Sequence, residues 1–204
     1  MITQTLRPFR NYNEKDVVNL FTLTGTPIDT TYLILATKGT LVKIVGDGFR
    51  NDVQPDQIIG NAGQFSVNNF QALRYGTTAQ CAVASQANGD VPIGMTLFDV
   101  RELDENLEFL KYRPQKAAEM EAVLSGQTVP IVTRGTFLYS GIQISTGVSG
   151  VLIPVVAGNP CYLGFSGGIS TSGTAVVGTF YSTTGTSGAF ANNTNIALVK
   201  LNIS

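Results

Sequence analysis

The sequence contains no histidine and no tryptophan, and only two cysteines in 204 residues. Without an imidazole it lacks the base that activates a serine or cysteine nucleophile near neutral pH, which excludes Ser–His and Cys–His catalysis. Cys81 and Cys161 lie far apart and form no C-x-x-C. Two buried free thiols are therefore expected rather than a disulfide, with folding in a reducing cytoplasm. No apolar run reaches the roughly 18 residues of a spanning helix. The opening "MITQTLRPFRNYNEKD" has no continuous apolar core of the kind a secretory signal needs. A net charge of −1 gives no reason to expect nucleic acid or an anionic membrane as partner.

Charge is scarce in one place above all. After Arg134 the remaining seventy residues carry a single charged side chain, Lys200. At ordinary composition about seventeen would be expected there. Gly, Ser and Thr alternating with Val, Ile, Leu and Phe take their place. Such a surface lacks the charge repulsion that keeps monomers apart, and it suits a chain packed against other copies or another protein. A merely neutral β domain would show the same scarcity.

What is present reads as short strands between turns. "YLILATKGTLVKIVG" (32–46) offers two strands about Lys38-Gly39, a hairpin candidate. "PIGMTLFDV" (92–100) and "TVPIVTRGTFLYSGI" (128–142, split near Arg134-Gly135) follow. "GVLIPVV" (150–156), "PCYLGF" (160–165), "AVVGTFYST" (175–183) and "NIALVKLNI" (195–203) complete the set. The expected fold is mainly β, an antiparallel sandwich or barrel with one short α-helix near 114–125. That helix is marked by Pro114 at its first turn and Gly126 as its stop. Ala117, Met120, Val123 and Leu124 form a stripe expected to cover an open end of the β core. The chain divides into an N-terminal arm (1–24), a β-rich module with the helix (25–134) and an uncharged β module (135–204). The last two allow one continuous domain.

Two motifs invite a catalytic reading. Gly164-Phe165-Ser166-Gly167-Gly168 matches the G-x-S-x-G nucleophile elbow, but the chain has no histidine and "GGISTSGTAVVG" is no helix. A Gly-Ser turn between strands is the better reading. "DVRELDENLEFLKYR" (99–113) holds five carboxylates and three cations. Nothing there separates two carboxyl environments as glycosidase chemistry requires, and a solvated loop is expected. Asp99, Asp104 and Glu105 lack calcium-loop spacing. No catalytic residue, cofactor or metal site is assigned.

The segments "LRPFRNYNEKDVVNLFTL", "ATKGTLVKIVGDGF", "GDVPIGMTLFDVRELDE" and "KAAEMEAVLSGQTVPIVTRG", closing with "AGNPCYLG", "GGISTSG", "VVGTFYSTTG" and "IALVKLNI", occur in an order that resembles the head decoration (cement) proteins of tailed bacteriophages. The resemblance spans nearly the whole chain in order and texture. It implies a β-rich virion protein that binds outside the capsid and reinforces the lattice of major capsid protein. It further implies a homo-oligomer, a trimer before a dimer, and no catalysis. Arg7, Pro8, Phe9, Arg10 and Tyr12 combine cations with flat rings, the composition enriched at interface hot spots, and are the expected capsid-binding residues. The first strand of the sheet is the alternative reading of that arm. A receptor- or carbohydrate-binding virion appendage is the second functional reading; with no Trp, its platforms would be Tyr75, Tyr139, Tyr162 and Tyr181. A hydrolase would need a Ser–Lys or carboxylate mechanism, and no S-x-x-K occurs.

Overall fold

The computed structural model describes residues 5–23, 25–50, 78–145, 153–182 and 196–203. Side chains at 46–50 and 78 are outside this description, as are Tyr75, all but 153–156 of the expected strand at 150–156 and the ends of those at 175–183 and 195–203. In chain order the strands are β1 (Thr5–Asn11), β2 (Val17–Val18), β3 (Phe21–Leu23), β4 (Ile34–Ala36), β5 (Leu41–Arg50) and β6 (Thr78–Val83). Then come β7 (Gly94–Thr96), β8 (Asp99–Arg101), helix α1 (Pro114–Glu119), β9 (Ala122–Val123), β10 (Ile131–Val132) and β11 (Arg134–Ser140). The C-terminal part adds β12 (Pro160–Leu163), β13 (Ile169–Ser170), β14 (Val176–Phe180) and β15 (Ile196–Asn202). Among the described residues the protein is mainly β with one short helix, as its alternating pattern and turn spacing lead one to expect.

The strands form three sheets. The first runs β1-β11-β15-β14-β12-β13, antiparallel throughout. The second runs β2-β10-β7-β5-β6-β3, with only β3 and β6 parallel. The third is β4-β8-β9. Successive side chains on a strand point to opposite faces, and the second sheet uses both. Leu41 of β5 and Val132 of β10 join a core with Phe137, Tyr139, Leu163, Val199 and Leu201 of the first sheet. Their neighbours Val42 and Ile131 join the opposite core, with Leu35, Ala36 and Val100 of the third. The layers stack as a sandwich with the second sheet in the middle. Leu6, Leu41 and Leu201 share one cluster, so that core draws on the arm and both expected modules.

Three local expectations change. The Lys38-Gly39 turn exists, with Gly39 at φ +95°, but it is a corner between sheets and not a hairpin. β4 pairs with β8, while β5 pairs with β6 and β7. The turn's own groups are bonded from elsewhere. Lys38 N–H donates to Asp99 Oδ1 at 2.6 Å, Gly39 N–H to Thr96 O at 2.7 Å, and Lys38 O accepts from Leu6 N–H at 3.1 Å.

The helix begins at Pro114 as expected but ends at Glu119, with no buried residue. Ala117 and Met120 are half-buried, and Val123 lies in β9, which pairs in parallel with β8. Glu121 takes a left-handed φ of +51° and turns the chain out of the helix. Gly126, at φ +83°, belongs to the following turn, closed by Gln127 N–H to Leu124 O. Lastly, 153–156 carries no strand.

Candidate docking surface

The Gly-Phe-Ser-Gly-Gly segment is a tight turn between β12 and β13. A single 3-10 turn spans Phe165–Gly167, and Gly164 N–H donates to Gly168 O at 2.8 Å. Ser166 is exposed at φ +51°. Gly167, at φ +73°, is pressed against Thr40, Leu41 and Val83 and donates its N–H to Ala84 O at 2.7 Å. This turn is therefore a packing contact between the first and second sheets. No strand-to-helix step follows it.

The acidic segment 99–113 is more ordered than a solvated loop. Asp99–Arg101 is a strand, and Asp104 and Leu110 are fully buried. Asp104 can be buried as an anion because every side of it is bonded. Its Oδ1 accepts Asn106 N–H at 2.7 Å and Glu108 N–H at 2.9 Å, and Oδ2 pairs with Lys116 Nζ. The Lys116 hydrogen bond and then the Glu108 N–H hold its carboxyl down at about 2. Glu105 reaches the same ammonium at 3.4 Å, whereas Asp99 is turned to the Lys38 amide. The three carboxylates are thus divided between two separate structural tasks.

The five capsid-binding candidates divide as well. Thr5–Asn11 is not a free arm; it is the edge strand β1, paired with β11, with Leu6 in the core. The register runs Leu6↔Tyr139 and then Arg10↔Phe137, so Arg7, Pro8 and Phe9 together oppose Leu138 alone. Extra residues on one strand must leave the ladder. These three form an exposed bulge on the sheet edge, with Phe9 53% accessible. Pro8 has no N–H to offer the ladder, which suits such a position.

Arg10 and Tyr12 look inward by comparison. Tyr12 stacks on Phe137 at 5.9 Å between centroids, 23° from parallel. Arg10 Nη1 and Nη2 donate to Glu121 Oε1 and Oε2 at 3.1 and 2.6 Å, and Lys38 Nζ reaches Oε2 at 3.0 Å. Partial burial works to raise the Glu121 carboxyl, and the bonds from Arg10 and Lys38 outweigh it, leaving it below the usual range. Lys38 and Glu121 carried no sequence signal of this role. The only local hint is an acid directly after the last helical turn.

Of the aromatic platforms, Tyr139 is wholly buried and Tyr162 half-buried. Tyr181 is exposed, with Lys200 Nζ 5.6 Å from its ring centroid. A second exposed group carries no signal in the sequence. Leu107, Phe109 and Tyr112 stand out from the Asp104 loop, with Lys111 Nζ 4.8 and 4.9 Å from the two rings. On the outer face of the first sheet, Thr136 pairs with Lys200 and Leu138 with Leu198. Among the described residues, no helix is long and apolar enough to cross a membrane. No protein-family model, curated protein or solved structure matches this chain.

Proposed function

We infer that this protein is a non-catalytic virion component that binds the outside of a tailed-phage head and reinforces its lattice of major capsid protein. The structural observation that carries the reading is the Arg7-Pro8-Phe9 bulge. An exposed aromatic and an exposed guanidinium stand on a sheet edge whose body is anchored in the core. A rigid scaffold presenting a few protruding anchor residues is how protein interfaces concentrate their binding free energy. The order of segments along the sequence, which resembles the cement proteins, supplies the choice of partner. The scarcity of charge after Arg134 supports close packing with further copies on the lattice. A trimer matched to a local threefold position follows from the resemblance.

Mixing the purified protein with undecorated heads and pelleting them tests this reading. Co-sedimentation at physiological salt is the expected result, and protein left in the supernatant overturns it.

A further inference from the structure

The bulge at Arg7–Phe9 has a built base. On its N-terminal side Leu6 N–H donates to Lys38 O at 3.1 Å. On its C-terminal side Arg10 forks onto Glu121, which also holds the Lys38 ammonium. Leu6, Pro8, Arg10, Lys38 and Glu121 line one pocket of about 260 Å3 beneath the bulge. The chain therefore closes a ring around the three protruding residues, from Leu6 through Lys38 and Glu121 to Arg10.

Two features of this ring work against stability. Glu121 sits at φ +51°, where a side chain with a Cβ is strained, and Arg10 Nε is buried with no hydrogen-bond partner among the described residues. Strain of this kind persists where the surroundings impose it, and it concentrates at functional positions. A glycine at 121 would relieve the backbone but leave Arg10 and Lys38 without their carboxylate.

We propose that Glu121 is a positioning residue for docking: its carboxylate fixes the geometry of the Arg7–Phe9 bulge, so that the contact face is formed before the partner arrives. The docking consequence rests on the capsid-binding reading; the fixing of the bulge does not. A contact face ordered in advance avoids the entropy loss of ordering Arg7 and Phe9 on binding.

The charged groups around Glu121 make its part separable from theirs. Arg10 faces it from β1 and Lys38 from the corner turn. Asp99 on β8 feels the charge of Glu121, and those of Lys38 and Arg101. Burial raises the Asp99 carboxyl above its usual range, whereas Glu121 lies below its own. The carboxylate of Glu121 is lost as the pH falls through its lowered value.

The test is 15N relaxation on the full chain, wild type against Glu121→Gln and Glu121→Gly, the second chosen because glycine suits the left-handed backbone. In the wild type, order parameters at Arg7, Phe9 and Arg10 should sit near about 0.85, and in both variants fall below about 0.6, with Val199 unchanged. The wild-type bulge should loosen below the ordinary glutamate range. That acid limb should persist in Asp99→Asn and vanish in Glu121→Gln. Affinity for heads should drop about tenfold in both Glu121 variants. A bulge equally rigid in Glu121→Gly, or already loose in the wild type, overturns the proposal. If the wild type fails to bind heads, the capsid reading fails while the relaxation data still decide the role of Glu121.

Discussion

The side-chain amide of Gln143 grips the backbone of Phe165 from both sides: Oε1 accepts the Phe165 N–H at 2.7 Å and Nε2 donates to its carbonyl at 2.8 Å. This clamp fixes the turn that resembles a nucleophile elbow and seats Gly167 against the second sheet. A Cβ on Gly167 would stand 2.4 Å from Thr40 Cγ2 and 2.9 Å from Leu41 O, on a left-handed backbone. Gly167→Val should therefore cost about 3 kcal/mol through strain and overpacking. At this chain length that is a fall of about 6–12 °C in Tm, measurable by calorimetry. Ser166→Ala should leave binding to heads unchanged. A selective loss of function there would restore a catalytic reading of the serine.

The buried Asp104 gives the acid response of the loop a definite sign. Its carboxyl is held at about 2 by Lys116 and the Glu108 N–H, below its ordinary 3.8. A depressed folded value means stability that is present above the unfolded value and lost as the pH falls through the folded one. Asp104→Asn should lower Tm at neutral pH, and the two Tm curves should converge as the pH approaches about 2. Curves that stay parallel across the acid range would show that the Asp104–Lys116 pair contributes nothing charge-dependent.

Both thiols are sealed in the core, and burial pushes Cys81 and Cys161 up to about 12. The thiolate is the reactive form, so neither should react with a disulfide reagent at mildly alkaline pH while the chain is folded. Two equivalents should react once guanidinium unfolds it. Prompt labelling of the native protein would place one of the sulfurs at an opening that the static packing does not have.

The sequence was informative wherever the determinant was local. Alternation and turn residues announced a mainly β chain, and Pro114 marked the start of the helix. Pairing partners are a non-local property, so the Lys38-Gly39 turn read as a hairpin when Asp99, Thr96 and Leu6 hold it as a corner. The end of the helix is hidden for the same reason. Glu121 is an ordinary helix former by propensity, and partners distant in sequence hold it in a left-handed turn: Asp99 N–H on its carbonyl, Arg10 and Lys38 on its carboxylate. The bulge is equally silent: three looped-out residues are visible only against the register of β11.

That register separates residues that composition had grouped together, and the separation can be measured. Arg7 and Phe9 are exposed on the bulge; Arg10 and Tyr12 are tied to Glu121 and Phe137. Truncating a hot-spot residue typically costs about 2 kcal/mol or more, roughly thirtyfold in affinity. The double change Arg7→Ala with Phe9→Ala should weaken binding to heads at least about tenfold and leave Tm nearly unmoved, because both side chains are exposed and outside the core. Arg10→Ala should instead lower Tm, because it leaves Glu121 with Lys38 alone and opens the base of the bulge. Sedimentation binding and calorimetry on the same two proteins check both halves. If the Arg7/Phe9 variant binds heads like the wild type, the contact lies elsewhere on the chain, and the exposed Leu107, Phe109 and Tyr112 become the next residues to truncate.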